Sequence, residues 1–123
     1  MTSNWHLEGS GEAVTPSGVA QLLQDRIRDG ELWTHLLSGS GLALMFVTNG
    51  ERAMVVLVGH EGDAGQHLVD AGASGESTGF MLDNGQVDTY ANQDTVPLSA
   101  AIDAVQHVMG GDLDRPGAWA DDR

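Results

Sequence analysis

Cysteine is absent from this chain, and so is lysine. The first absence excludes a disulfide framework, a thiolate metal site and a thiol nucleophile, and leaves nothing that calls for an oxidising compartment. The second leaves five arginines against eighteen acids, a net charge of −13. That balance works against binding phosphate backbones, because such affinity comes from cationic contacts. Long apolar runs are also missing. No stretch approaches the roughly 20 residues that span a bilayer, and the first residues, MTSNWHLEGSGEAV, have neither the basic start nor the apolar stretch of a signal peptide. These absences lead to the expectation of a cytoplasmic protein that binds neither nucleic acid nor membrane.

What is present suits one domain over residues 1–123, with 41% hydrophobic residues to build a single core and no internal repeat of solenoid period. Thr15-Pro16 reads as an N-cap followed by proline at the first helical position. Val19, Leu22, Leu23 and Ile27 then recur at helical spacing until Asp29-Gly30. LALMFVT and RAMVVLVG flank Asn49-Gly50, the pair that most favours a type I′ turn, and predict a central hairpin. These runs are nearly continuous in apolar residues, so period alone does not separate Ala43, Met45 and Val47 from Leu44 and Phe46.

Gly59 to Gly79 is rich in glycine around a short His67-Leu68-Val69 patch and reads as a long loop or a short edge strand. A second hairpin is expected about Asn84-Gly85, with Phe80 and Leu82 in phase on one face. The last helix runs from about Pro97 to Gly110-Gly111, its apolar positions being Leu98, Ala101, Ile102, Val105, Val108 and Met109. The connections are too short for crossovers. The expected fold is therefore α+β, an antiparallel or mixed sheet of about four to six strands with two main helices on it.

No catalytic set stands out. There is no Gly-x-Ser-x-Gly elbow, and Gly39-Ser40-Gly41 precedes a strand instead of opening a helix, which makes it a turn and not a phosphate loop. His60, Glu61, Asp63 and His67 are the densest set of potential ligands, but their spacing is not that of a helical His-Glu-x-x-His site. His6, His35 and His107 are scattered. Asp112, Asp114, Asp121 and Asp122 read as solvated charge, with no visible neighbour to shift a pKa. Trp33, beside the Gly30 stop, reads as core, and Trp119 as a cover for the open end of the core. The reading is of a protein that is not an enzyme and takes no metal or cofactor.

The acids are unevenly placed: from His60 to Val96 there are seven and no arginine. Such a surface either keeps the protein soluble or steers a basic partner towards it. Glu61, Asp63, Asp70, Asp83, Asp88 and Asp94, together with Tyr90, are the candidate partner-binding residues.

The Val96-Pro97-Leu98-Ser99 opening of the last helix, its Ala-Ile-Asp-Ala-Val body and the Gly-Asp-Leu-Asp-Arg-Pro exit to Trp119 resemble the C-terminal half of the first Imm family of bacterial immunity proteins. Gly111, Arg115, Pro116 and Trp119 stand at matching places, and the likeness covers residues 79–119. It implies an inhibitor that binds a cognate toxin domain and occludes its active or substrate-binding surface. Some relatives are similar to inhibitors of deaminase toxins that act on nucleic acid, whose surfaces are basic. The resemblance implies no catalytic residue. Two alternatives stay open: a small acidic secretion or assembly chaperone, and an enzyme or ligand-binding module built on the His60–His67 loop.

Overall fold

The computed structural model describes residues 5–59, 65–111 and 117–122. Its centre is the expected hairpin of β4 (Ala43–Thr48) and β5 (Arg52–Val58), paired in register from Ala43↔Val58 to Thr48↔Ala53. Val, Leu, Met and Phe dominate both strands, and such side chains fit a pleated surface covered on both sides. Around this hairpin the sheet grows outward through short segments: β3 (Trp33–Ser38), β1 (Trp5–Leu7) and β2 (Ala13–Val14) on one side, β6 (Gln66–Val69) and β10 (Ala118–Asp121) on the other. The two-residue β9 (Val96–Pro97) pairs with the start of β5, and every pairing is antiparallel. A separate ribbon, β7 (Glu76–Met81) with β8 (Val87–Ala91), forms a second sheet.

The α+β class is as expected, but among the described residues the main sheet has eight strands in place of four to six. The excess consists mainly of segments two to four residues long, namely β1, β2, β9 and β10. Strands so short show no period of their own; they exist because a neighbouring strand offers unpaired backbone groups. The Gly59–Gly79 segment also differs from expectation. His67 and Leu68 belong to β6, which lies inside the sheet between β5 and β10, and the loop that follows gives way to β7.

Alternation decides the layers. In β5, Ala53, Val55 and Leu57 are buried, and Arg52, Met54 and Val56 on the other face are only half-buried. The first set joins Leu36, Leu44, Phe46 and Leu68 in the main core. Helix α1 (Val19–Arg28) contributes Val19 and Leu23, and helix α2 (Leu98–Met109) contributes Ala101, Ile102, Val105, Val108 and Met109. Both helices therefore cover one face of the sheet, and Trp119 packs against the same core from β10. Helix α1 starts later than Thr15-Pro16 suggests. The Thr15 hydroxyl accepts from the Gly18 N–H at 3.0 Å and caps a preceding turn, and the helix proper opens at Val19.

Both hairpin turns depart from type I′. Positive φ occurs at Gly50 (94°) and Gly85 (86°), and at neither asparagine. The Asn49 Oδ1 accepts the backbone N–H groups of Glu51 and Arg52, so its side chain performs the turn-closing role that its backbone was expected to play. At the second turn, the Gly85 N–H donates to Leu82 O and the Leu82 N–H to Gln86 O, a three-residue loop ending in a left-handed glycine. Gly79 (φ 96°) is the extra residue of a bulge in β7, between the pairs Thr78↔Thr89 and Phe80↔Asp88.

Candidate functional site

The β7–β8 ribbon lies against the sheet face that the helices leave open. Phe80 carries its burial: it is 0% exposed, packs against Tyr90 with ring centroids 5.0 Å apart and planes tilted by 53°, and stands outside the helix-side cluster. The Asn49 Nδ2 donates to Thr78 O at 3.0 Å and fastens the ribbon to the tip of the central hairpin. A second tie is Arg52, on the open face, whose Nε donates to Thr95 Oγ1 and whose Nη2 donates to Asn92 O and Thr95 O and meets Asp70 Oδ2 at 2.9 Å. This one guanidinium satisfies the loop after β6 and the turn before α2 together, and its planar fork suits several acceptors at once.

The ribbon does not cover the whole face. Between the two sheets runs a groove of about 270 Å³, floored by Trp33, Met45, Val47, Met54 and Val56 from β3 to β5 and walled by Leu82 and Tyr90 of the ribbon. Among the described residues no charged group lines it. Its ends are different. On the β3 side, Trp33 and Leu82 pass into recesses of about 280 and 260 Å³ bearing Glu8, Glu31 and Asp83 with Arg26. On the β6 side, Met54 and Val56 pass into a recess of about 250 Å³ bearing His67, Asp94 and Asp122. Among the described residues, five carboxylates, two histidines and one arginine thus stand around an apolar channel.

Hydrogen bonds hold these end groups in place. The Arg26 Nε donates to Thr34 Oγ1 at 2.8 Å and its Nη2 to Trp33 O at 2.7 Å, which anchors the start of β3 and the indole that it carries. His35 Nδ1 contacts Glu8 Oε2. His67 lies between two carboxylates, with Nδ1 2.7 Å from Asp122 Oδ1 and Nε2 3.1 Å from Asp94 Oδ1. The Tyr90 hydroxyl donates to Asp88 Oδ2 at 3.1 Å. Burial pushes the Tyr90 phenol above its ordinary value of 10.0, and the Asp88 carboxylate adds to the effect by accepting the proton's hydrogen bond and opposing a second negative charge.

Of the partner-binding residues expected from sequence, Asp83, Tyr90 and Asp94 come together around the groove. Asp88 stands behind Tyr90, and Asp70 is engaged by Arg52, which gives it a structural role. Glu61 and Asp63 lie outside the described residues, as do His60, Asp112, Asp114, Arg115 and Pro116. Asp122 is not free solvated charge, because its carboxylate holds His67 and its N–H donates to Gly65 O. Trp33 is not in the helix-side core; it is half-buried and faces the groove. Met45, Met54 and Val56 were also missed as site residues. The nearly continuous apolar runs of β4 and β5 give no sequence signal that sets them apart, and the alternation of buried and half-buried residues along these strands emerges only when the helices cover one face.

Among the described residues no group of three or more His, Cys, Asp or Glu is arranged to hold a metal ion, and no helix is long and apolar enough to cross a membrane. No family model, curated protein or solved structure matches this chain.

Proposed function

We propose that this protein is an immunity protein: it binds a basic toxin domain and neutralises it by occluding the active or substrate-binding surface. The observation that carries the reading is the apolar groove on the open sheet face, rimmed by Glu8, Glu31, Asp83, Asp94 and Asp122. An apolar centre inside a charged rim is how protein interfaces are commonly built, and the rim's sign selects the partner's sign. A toxin acting on nucleic acid, the deaminase class implied by the resemblance over residues 79–119, carries a cationic substrate surface of that kind. The apolar sides of α1 and α2 are buried in the main core, so the helices do not offer the bare face expected of an assembly chaperone. Catalysis has no part in this function.

The test is co-expression with the product of the neighbouring gene, which this reading requires to carry the toxin domain. Rescue of growth and co-purification of a complex are the expected results. If this protein neither restores growth nor binds that domain, the reading is wrong.

A further inference from the structure

We infer that the groove between the β7–β8 ribbon and the open sheet face takes an extended basic segment of the partner, with one long apolar side chain seated in the channel between flanking arginines or lysines. The inference rests on the immunity reading for its partner and goes beyond it by naming the contact. Three observations point to this occupant. The channel is lined by Met45, Met54, Val56, Leu82 and the rings of Trp33 and Tyr90, an adaptable thioether and aromatic lining that accepts an aliphatic side chain without demanding one shape. Its volume of about 270 Å³ suits a side chain and not a helix, whose diameter is about 10 Å. Carboxylates stand at both ends, Glu8, Glu31 and Asp83 at one and Asp94 and Asp122 at the other, so the positive charges belong on either side of the apolar residue.

An extended chain meets this requirement, because alternate residues point the same way and a cation–apolar–cation series falls at i, i+2 and i+4. An acidic or neutral segment of the same shape would leave the rim unneutralised and lose the steering that opposite charge provides. Arg26 does not reverse the sign of its end, since three carboxylates share that recess system with it.

Methionine methyl groups supply a direct readout. Met45 and Met54 lie in the groove, whereas Met109 lies in the helix-side core at 1% exposure. The full chain labelled at methionine methyl carbons is titrated with the synthetic peptide Ser-Arg-Ser-Leu-Ser-Arg-Ser. Saturable shifts of the Met45 and Met54 methyl signals, with Met109 unmoved, are expected, and binding should weaken as salt is raised. Replacing both arginines by glutamate, or the leucine by serine, should weaken binding by about tenfold or more. Absence of shifts at Met45 and Met54 with millimolar peptide, or equal shifts with the glutamate peptide, overturns the inference.

Two substitutions separate this contact from the immunity reading. Val56→Arg and Leu82→Lys put a cation into the channel from the sheet and from the ribbon respectively, and the folding of each is checked by the unchanged Met109 signal. Either folded variant is expected to lose toxin neutralisation. If wild type protects and both folded variants protect equally well, the groove is not the contact and the immunity reading stands; if wild type itself fails to protect, the immunity reading falls.

Discussion

The two faces of the central sheet use the same strands to opposite ends. On the helix side, Leu36, Leu44, Phe46, Val55, Val105 and Met109 are at most 1% exposed and form one continuous cluster. On the other side, Trp33, Met45, Met54 and Val56 are half-buried under a two-stranded ribbon that leaves a channel open. Adjacent residues of a strand thus belong to different environments, one set closed by two helices and one set shaded by a hairpin. The difference lies in what covers each face. Two amphipathic helices present wide apolar stripes, whereas the ribbon presents mainly Phe80, with Tyr90 and Leu82 at the channel wall.

The contrast can be broken most severely from the closed side. Phe46→Ala should destabilise the domain by about 3–5 kcal/mol, through lost transfer energy and the cavity left behind, as read from a urea unfolding midpoint. A loss under 1 kcal/mol would show that this face is not the principal core. Next in size is Arg52→Ala, which removes four side-chain hydrogen bonds from a half-buried position. The expected cost is about 2–3 kcal/mol, accompanied by faster amide exchange in the loops around Asp70 and Asn92.

Phe80→Ala sharpens the comparison because it deletes the same side chain from the other face. Its expected cost is about 1–2 kcal/mol, less than for Phe46, since the ribbon can settle onto the channel and partly refill the space. Hydrogen exchange should rise over residues 76–91 while α2 stays protected. Equal losses for the two phenylalanines would mean that the faces are energetically equivalent.

A smaller effect concerns the channel wall. Tyr90 is the chain's single tyrosine, so ultraviolet absorbance titrates it alone. Its phenol should ionise above pH 10, and Asp88→Asn should lower that value while leaving the contribution of burial in place. A phenol whose folded pKa is raised contributes stability fully below the unfolded value of about 10 and loses it as pH rises through the folded value. Stability lost near neutral pH would contradict this assignment. Smallest of all on the fold is the double change Glu31→Lys with Asp83→Lys, within about 0.5 kcal/mol because both side chains are exposed. The same change should slow association with a basic partner and flatten its dependence on salt, as measured by stopped flow.

Much of the frame was legible in the residues. The apolar spacing of Leu98 to Met109 predicts α2, and the runs on either side of Asn49-Gly50 predict β4 and β5, because both signals depend on local periodicity alone. The short strands were not legible. Ala13–Val14 and Val96–Pro97 have no pattern to read and become strands only by pairing, the first with nearby β1 and the second with the distant start of β5. The site was legible only in part. Asp83, Tyr90 and Asp94 were found through the run of acids between His60 and Val96, but the groove that joins them lies between segments far apart in the chain. Glu8, Trp33 and Asp122 come from the two ends and the first third of the sequence, and no local window contains their relation.

By itself, then, the sequence determined the sign of the surface, the absence of thiol and lysine chemistry, the two helices and the central hairpin. These follow from composition and from side-chain period, which need no partner. Only the tertiary structure decided which alternation meets the helices, and hence that Met45, Met54 and Val56 line a channel while Phe46 and Val55 fill a core. A strand's two faces are equivalent until something packs on one of them, and here that choice is made by elements at least ten residues away in the chain.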